Sequence, residues 1–197
     1  RPIARPAQTE VPDSRSIALD LLDAVLIEHR PLDGALAAHP GLSQLSTRDR
    51  AFARLLAATV LRRLGEIDAA LKALLSRPLP RGAARVMNAL RLGAAQRLFL
   101  DTPPHAAVDT TVRLLDGPLA GFKGLANAVL RKIEPGAPAV DAARRNTPDW
   151  LWRSWTAAYG EATASAIAAA HLGEPPLDIS VAGDPEAWRD RLEATLL

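Results

Sequence analysis

Cysteine is absent from the 197 residues. That excludes disulfides, thiolate metal sites and any cysteine nucleophile. Aromatic residues make up only 4%, so Leu, Ala, Val and Ile must fill any core, which suits close helix–helix packing. The four histidines, His29, His39, His105 and His171, stand far apart, with no HxxxH or HExxH spacing. A zinc site is therefore not expected. No apolar run reaches the roughly 18 residues that suggest a membrane span. The N-terminal RPIARPAQTEVPDSR carries no apolar signal-peptide core. Arg1 rather than Met opens the chain, as in a trimmed protein. The expectation is a cytoplasmic protein with no membrane partner.

The apolar fraction of 48% is ample for a core. The length suits one domain, or one domain and a remnant of another. Net charge is only +2, but it is unevenly placed. Residues 1–159 hold 22 Lys and Arg against 15 Asp and Glu, whereas residues 160–197 hold 2 against 7. The first part reads as a basic body and the last as an acidic, chemically different end. A basic surface is a common footprint of nucleic-acid binding, although a solvated face of charges has the same composition.

The pattern predicts helices almost throughout. Residues 1–12 read as a flexible arm rich in Pro and Arg. Asp13 or Ser14 can cap a helix to about His29, with Ile17, Leu21, Leu22, Val25 and Leu26 inward. Leu32 to Ala38 is at best a short helix. Ser46 or Thr47 caps another, with Phe52, Leu55, Leu56, Thr59 and Val60 inward, and Gly65 is read as a kink or break before a helix from about Glu66 to Leu75.

The organising stretch is 86–133. Val86, Leu90, Ala94 and Leu98 recur every four residues and form one helical stripe. Pro103-Pro104 stops that helix and starts the next. Ala107, Val108, Val112 and Leu115 then face inward, as do Leu125, Val129, Leu130 and Ile133 on a third helix. Residues 134–138 read as a connector, followed by a short helix or linker over 141–145. A tryptophan-rich helix ending near Gly160 and an Ala-rich helix come next. Leu177 to Val181 alternates apolar and polar residues, the period of a half-buried strand. A lone strand needs a partner, so 177–197 reads as the start of a module that continues beyond Leu197.

Four stretches carry a family resemblance: RSIALDLLDAVL at 15–26, DRAFARLLAATVLRRLGEID at 49–68, LRLGAAQRLFLDTPPHAAV at 90–108 and KGLANAVLRKI at 123–133. They resemble the NusB fold, and more closely the NusB-like N-terminal domain of the bacterial ribosomal RNA small-subunit methyltransferase B family. PDWLWRSWTAAYG at 148–160 and EPPLDISV at 174–181 resemble the segment joining that domain to the methyltransferase part. The resemblance implies an all-α, NusB-like helical bundle over 13–134, a helical linker region over 135–176, and a short α/β start of the methyltransferase module over 177–197. It implies a parent enzyme that makes 5-methylcytosine in small-subunit ribosomal RNA with S-adenosylmethionine. That chemistry needs two cysteines and a Gly-rich cofactor loop. This sequence has neither, so no catalytic residue and no cofactor site are expected in it. The implied role is RNA binding and substrate positioning, with small-subunit ribosomal RNA and the methyltransferase domain of the same parent chain as partners. The alternative is a free-standing NusB-type antitermination or protein-interaction module.

The residues expected to touch RNA are Arg5, Arg15, Arg48, Arg50, Lys123, Arg131 and Lys132. Phosphate contact by Lys and Arg is sequence-independent and salt-sensitive. Arg5 and Arg15 enter by resemblance, because the basic N-terminal region of NusB proteins contacts RNA. Each Arg taken alone reads as solvated or ion-paired, with RNA contact the alternative. His105, at a helix start, reads as a capping or packing residue, since a base would need a partner and a pocket. Asn127 reads as a hydrogen-bonding residue in the core, with RNA contact the alternative. Trp150, Trp152 and Trp155 read as packing residues, with base stacking the alternative.

Overall fold

The structure is a computed structural model that describes residues 13–136, 140–175, 178–193 and 195. Helices α1 (Ser14–Leu26), α2 (Leu32–Ala38), α3 (Thr47–Arg62), α4 (Leu64–Leu74), α5 (Ala84–Phe99), α6 (Pro104–Arg113) and α7 (Lys123–Leu130) form the bundle. Then come the short α8 (Ala142–Arg145), the long α9 (Asp149–Ala170) and α10 (Pro185–Leu192). Their starts follow the capping chemistry. The Asp13 carboxylate accepts from the backbone N–H of Arg15 at 2.6 Å and of Ser16 at 2.8 Å. Ser46 Oγ accepts from the Asp49 N–H at 3.1 Å and donates to the Asp49 carboxylate at 2.7 Å, a reciprocal cap. Pro104 sits at the start of α6, where its missing N–H costs nothing.

Helix α5 is the axis of the bundle. It packs against α1, α3, α4, α6 and α7. The stripe of Val86, Leu90 and Ala94 is fully buried, and so are Ala89, Leu92 and Ala95 on its other sides. A helix buried all round is the mark of a core element. Gly93 is where its neighbours come closest: a Cβ there would lie 2.7 Å from Leu130 Cδ1 on α7 and 2.8 Å from Thr111 Oγ1 on α6.

A polar ladder ties α1, α5 and α4 together. Arg85 pairs with Asp20 at 2.8 Å and with Asp23. Asn88 Nδ2 donates to Asp23 at 2.7 Å, Arg91 donates to Asn88 Oδ1 at 2.8 Å, and Arg91 grips Asp68 with two bonds of 2.7 and 2.8 Å. Burial opposes the Arg85 charge, but the hydrogen bonds and charges of Asp20 and Asp23 outweigh it and hold its pKa above the ordinary value. Asn88 is fully buried, and it has partners on both sides, which removes the penalty of an unsatisfied amide.

Three expectations are corrected. Leu55 faces outward, 40% exposed, and Ala53 and Ala57 take the inward positions on α3. Small residues let α1 approach closely there. Gly65 is not a break: the chain turns at Arg63, and Gly65 lies inside α4. It is small because the connector crosses it, and a Cβ would lie 1.9 Å from the Arg145 carbonyl oxygen. The strand over 177–181 does not form in residues 178–181, and no strand is present among the described residues. Ile179 is 56% exposed. Alternation alone does not make a strand when nothing offers the backbone a ladder. Leu177 lies outside the described residues.

The segment after the bundle is docked onto it. The Glu66 N–H donates to Asn146 Oδ1 at 3.0 Å, and Asn146 Nδ2 donates back to the Glu66 carboxylate at 2.6 Å. Arg63 stacks over Phe99 at 5.2 Å, pairs with Glu66 at 3.1 Å and reaches the Leu172 carbonyl at 3.5 Å. Gly160 breaks α9 with φ +79° and ψ 164°. In an unbroken helix Trp155 and His171 would be about 24 Å apart. Their rings lie 5.3 Å apart instead, so the two limbs of α9 fold back on each other. Trp152 packs under the Arg144 guanidinium at 5.0 Å, while Trp150 is 66% exposed. Packing thus accounts for Trp152 and Trp155 and leaves Trp150 free.

Candidate nucleic-acid interface

The expected RNA contacts fall into two groups beside the C-terminal part of α5. The first is at the starts of α1 and α3. Arg15 Nε donates to Gln96 Oε1 at 2.8 Å, and its guanidinium stands 5.1 Å from the Phe52 ring centroid. Gln96 is fully buried. Arg15 is therefore held in place, with part of its fork already committed inside the protein. Arg48 and Arg50 are exposed in the first turns of α3. Arg50 reaches only the Thr47 hydroxyl, at 3.4 Å, and neither has a carboxylate partner among the described residues. Arg54, one turn on, is exposed as well. Arg5 lies outside the described residues.

The second group is on α7. Lys123, at its start, pairs with Asp116 and is half-buried. Arg131 and Lys132, just past its end, are exposed and have no carboxylate partner among the described residues. They sit where the last α7 carbonyls favour positive charge. Arg131 also borders a cleft of about 810 Å³ between α6, the end of α5 and α7. Arg97, His105, Arg113 and Asn127 border the same cleft, as does one carboxylate, Asp109. Asp109 is taken by Arg113, one helical turn away.

The sequence pattern does not single out Arg97 and Arg113. Their signal was weak: each is an isolated Arg on a helix whose apolar stripe dominates the pattern. From the sequence alone His105 and Asn127 read as structural. Asn127 is only half-buried and His105 is exposed, so both are open to the cleft.

Residues 12–135 match the NusB family. The chain belongs to the NusB family. Its helices α1 to α7 are that domain. The NusB-family chain is also similar to curated proteins named ribosomal RNA small subunit methyltransferase B. It is 40% identical to the one from Xanthomonas campestris over 153 residues, 75% of this chain and 34% of that protein. It is 36% identical to the one from Xylella fastidiosa (strain Temecula1) over 187 residues, 91% of this chain and 42% of that protein. It is 40% identical to the one from Thermus thermophilus over 116 residues, 58% of this chain and 28% of that protein. The chain spans less than half the length of the curated relatives it matches.

Gly117 and Gly121 lie in a 3-10 turn over Gly117–Phe122, and Gly124 lies in the first turn of α7. Among the described residues they follow no strand, whereas a strand-to-helix turn is the usual frame for a Gly-rich nucleotide-binding loop. Among the described residues no group of three His, Asp or Glu is arranged to hold a metal ion. No helix among them is long and apolar enough to cross a membrane. The arrangement offers cations, amides and apolar walls, which suit binding.

Proposed function

We propose that this NusB-family domain docks RNA and positions it for a ribosomal RNA cytosine-C5 methyltransferase of which it is a part. In this reading the substrate is small-subunit ribosomal RNA, the setting is cytoplasmic, and the parent enzyme holds S-adenosylmethionine outside the bundle. The observation that carries it is the placement of uncompensated charge. Arg48, Arg50, Arg131 and Lys132 stand exposed without a carboxylate partner among the described residues, whereas Arg85, Arg91, Arg113, Arg144 and Arg145 are ion-paired. Free cations flanking one helix suit a phosphate backbone. The names of the relatives support ribosomal RNA as the polymer.

The test is fluorescence anisotropy with an oligoribonucleotide from small-subunit ribosomal RNA. Four phosphate contacts on single-stranded RNA predict a loss of roughly 50-fold in affinity between about 50 and 200 mM salt. Changing Arg48, Arg50, Arg131 and Lys132 together to Ala should flatten that dependence. A salt-independent affinity, or one unchanged by the fourfold variant, removes the RNA-docking reading.

A second reading is a protein-interaction module. A groove of about 550 Å³ between α4 and α5 favours it, with Leu75, Pro78, Leu79, Pro80 and Met87 on its walls. On that reading the chain binds RNA no better than a neutral protein does.

A further inference from the structure

The cleft beside α6 differs from a solvated basic patch in three ways. First, its donors are unmatched. Arg97 uses Nε and Nη2 on the Ile133 carbonyl, at 3.1 and 2.6 Å, and its remaining nitrogen has no partner among the described residues. The side chains of Arg131 and Asn127 have none among them either. The one carboxylate on the wall, Asp109, is held by Arg113. A cleft with this excess of N–H donors calls for an anionic or acceptor-rich occupant.

Second, one cation is fixed in advance. Two bonds to a single carbonyl hold the Arg97 guanidinium in place, so binding costs it little side-chain freedom. Third, part of the α6 wall is apolar. Pro104, Val108 and Val112 contribute to it, and the exposed His105 ring stands at the start of α6. The volume of about 810 Å³ lies in the range of small-ligand sites.

A bare phosphate would leave the apolar wall wet. A duplex keeps its base faces stacked inside, so none can lie against the apolar wall. An unpaired nucleotide has both parts: a phosphate for the guanidinium fork and a base with an apolar face and a hydrogen-bonding edge. We infer that this cleft is a subsite for one unpaired nucleotide of RNA. The phosphate lies against Arg131 and Arg97. The base lies against Pro104, Val108 and Val112, with its edge on the Asn127 amide. The inference rests on the RNA-docking reading and makes it specific: the domain prefers RNA with an unpaired segment.

The test uses the full chain and three labelled probes at about 50 mM salt: a short oligouridine, an RNA duplex of the same length, and an Asp/Glu peptide of the same charge. Arg131→Ala should lower oligouridine affinity about tenfold and duplex affinity much less. Asn127→Ala should lower oligouridine affinity several-fold and leave the duplex unchanged. Arg131→Lys, which keeps the charge and loses the fork, should recover only part of the loss. The paired change of Arg48 and Arg50 to Ala should weaken both RNA probes alike. Suppose the cleft variants match the unchanged protein on oligouridine while the Arg48 and Arg50 variant weakens it. The cleft inference then fails and the RNA-docking reading stands. If the unchanged protein binds neither RNA probe, both fail. If the peptide binds as tightly as oligouridine and is lost with Arg131→Ala, the cleft serves a protein, and the inference is overturned.

Discussion

Adding one methyl group at Gly65 should loosen the whole segment after the bundle. A Cβ built there lies 1.9 Å from the Arg145 carbonyl oxygen, 2.6 Å from its carbon and 3.1 Å from the Asn146 nitrogen. These are backbone atoms, so no rotamer change relieves the clash. The α8 segment must move off α4 by more than about 1 Å to restore van der Waals contact. That movement breaks the paired bonds between Glu66 and Asn146, at 3.0 and 2.6 Å. One neutral and one charge-assisted hydrogen bond together are worth about 3 kcal/mol. Ala is the better helix former, which offsets up to about 1 kcal/mol. The net loss is about 2 kcal/mol, or roughly 4–8 °C in Tm for a chain of this size.

Gly34→Ala is the control. It lies in α2 with nothing within 4 Å of a built Cβ, so it should be neutral or stabilising. Thermal unfolding followed by tryptophan fluorescence reads both variants, because Trp150, Trp152 and Trp155 all lie in α9. If Gly65→Ala raises Tm as Gly34→Ala does, the connector does not rest on α4 as described.

Other outcomes follow from the same packing and charges. Gly93→Ala overpacks the meeting of α5, α6 and α7 against Leu130 and Thr111 and should cost about 1–3 kcal/mol in urea unfolding. An unchanged midpoint would mean that those helices sit farther apart. Arg91→Ala leaves Asp68 and Asn88 short of partners and should cost about 2 kcal/mol. Arg91→Lys should recover less than half of that, because one ammonium cannot reproduce the two-bond grip on Asp68. The Asp149 carboxyl is held below its ordinary 3.8 by the hydrogen bond and charge of Arg144, and Asp141 is lowered likewise by Arg145. A depressed carboxylate contributes stability that is present above pH 3.8 and is lost as pH falls through the lowered value. Carbon-detected NMR of Asp149 should therefore show a midpoint below 3.8, and Arg144→Ala should move it up toward the ordinary value, with the charge of Arg153 still in place.

The bundle was legible because its signals are local and redundant. Asp13, Ser46 and Pro104 mark helix starts by cap chemistry. The four-residue spacing from Val86 to Leu98 marks α5, and Gly160 marks the break in α9 through its positive φ. What the pattern missed depends on neighbours. Leu55 fits an inward stripe as well as Ala53 does, and only the close approach of α1 decides between them. Gly65 reads as a breaker because its real reason, a crossing backbone 80 residues later, has no local trace. Leu177 to Val181 has strand periodicity, yet residues 178–181 find no ladder. The site divides in the same way. Charge identified Arg48, Arg50, Arg131 and Lys132 as candidates. It could not show that Arg15 is tied to Gln96 and Lys123 to Asp116. Nor could it show that Arg97, Arg113, His105 and Asn127, each unremarkable alone, border one cleft.

The measurement that bears most directly on RNA docking is cross-linking of the full chain to a fragment of small-subunit ribosomal RNA, with the cross-linked peptides mapped by mass spectrometry. RNA docking on this face predicts adducts in the peptides that carry Arg48 and Arg50 and in those from Arg97 to Lys132, diminishing as salt rises. Adducts confined to α9 and α10, or adducts insensitive to salt, would contradict it.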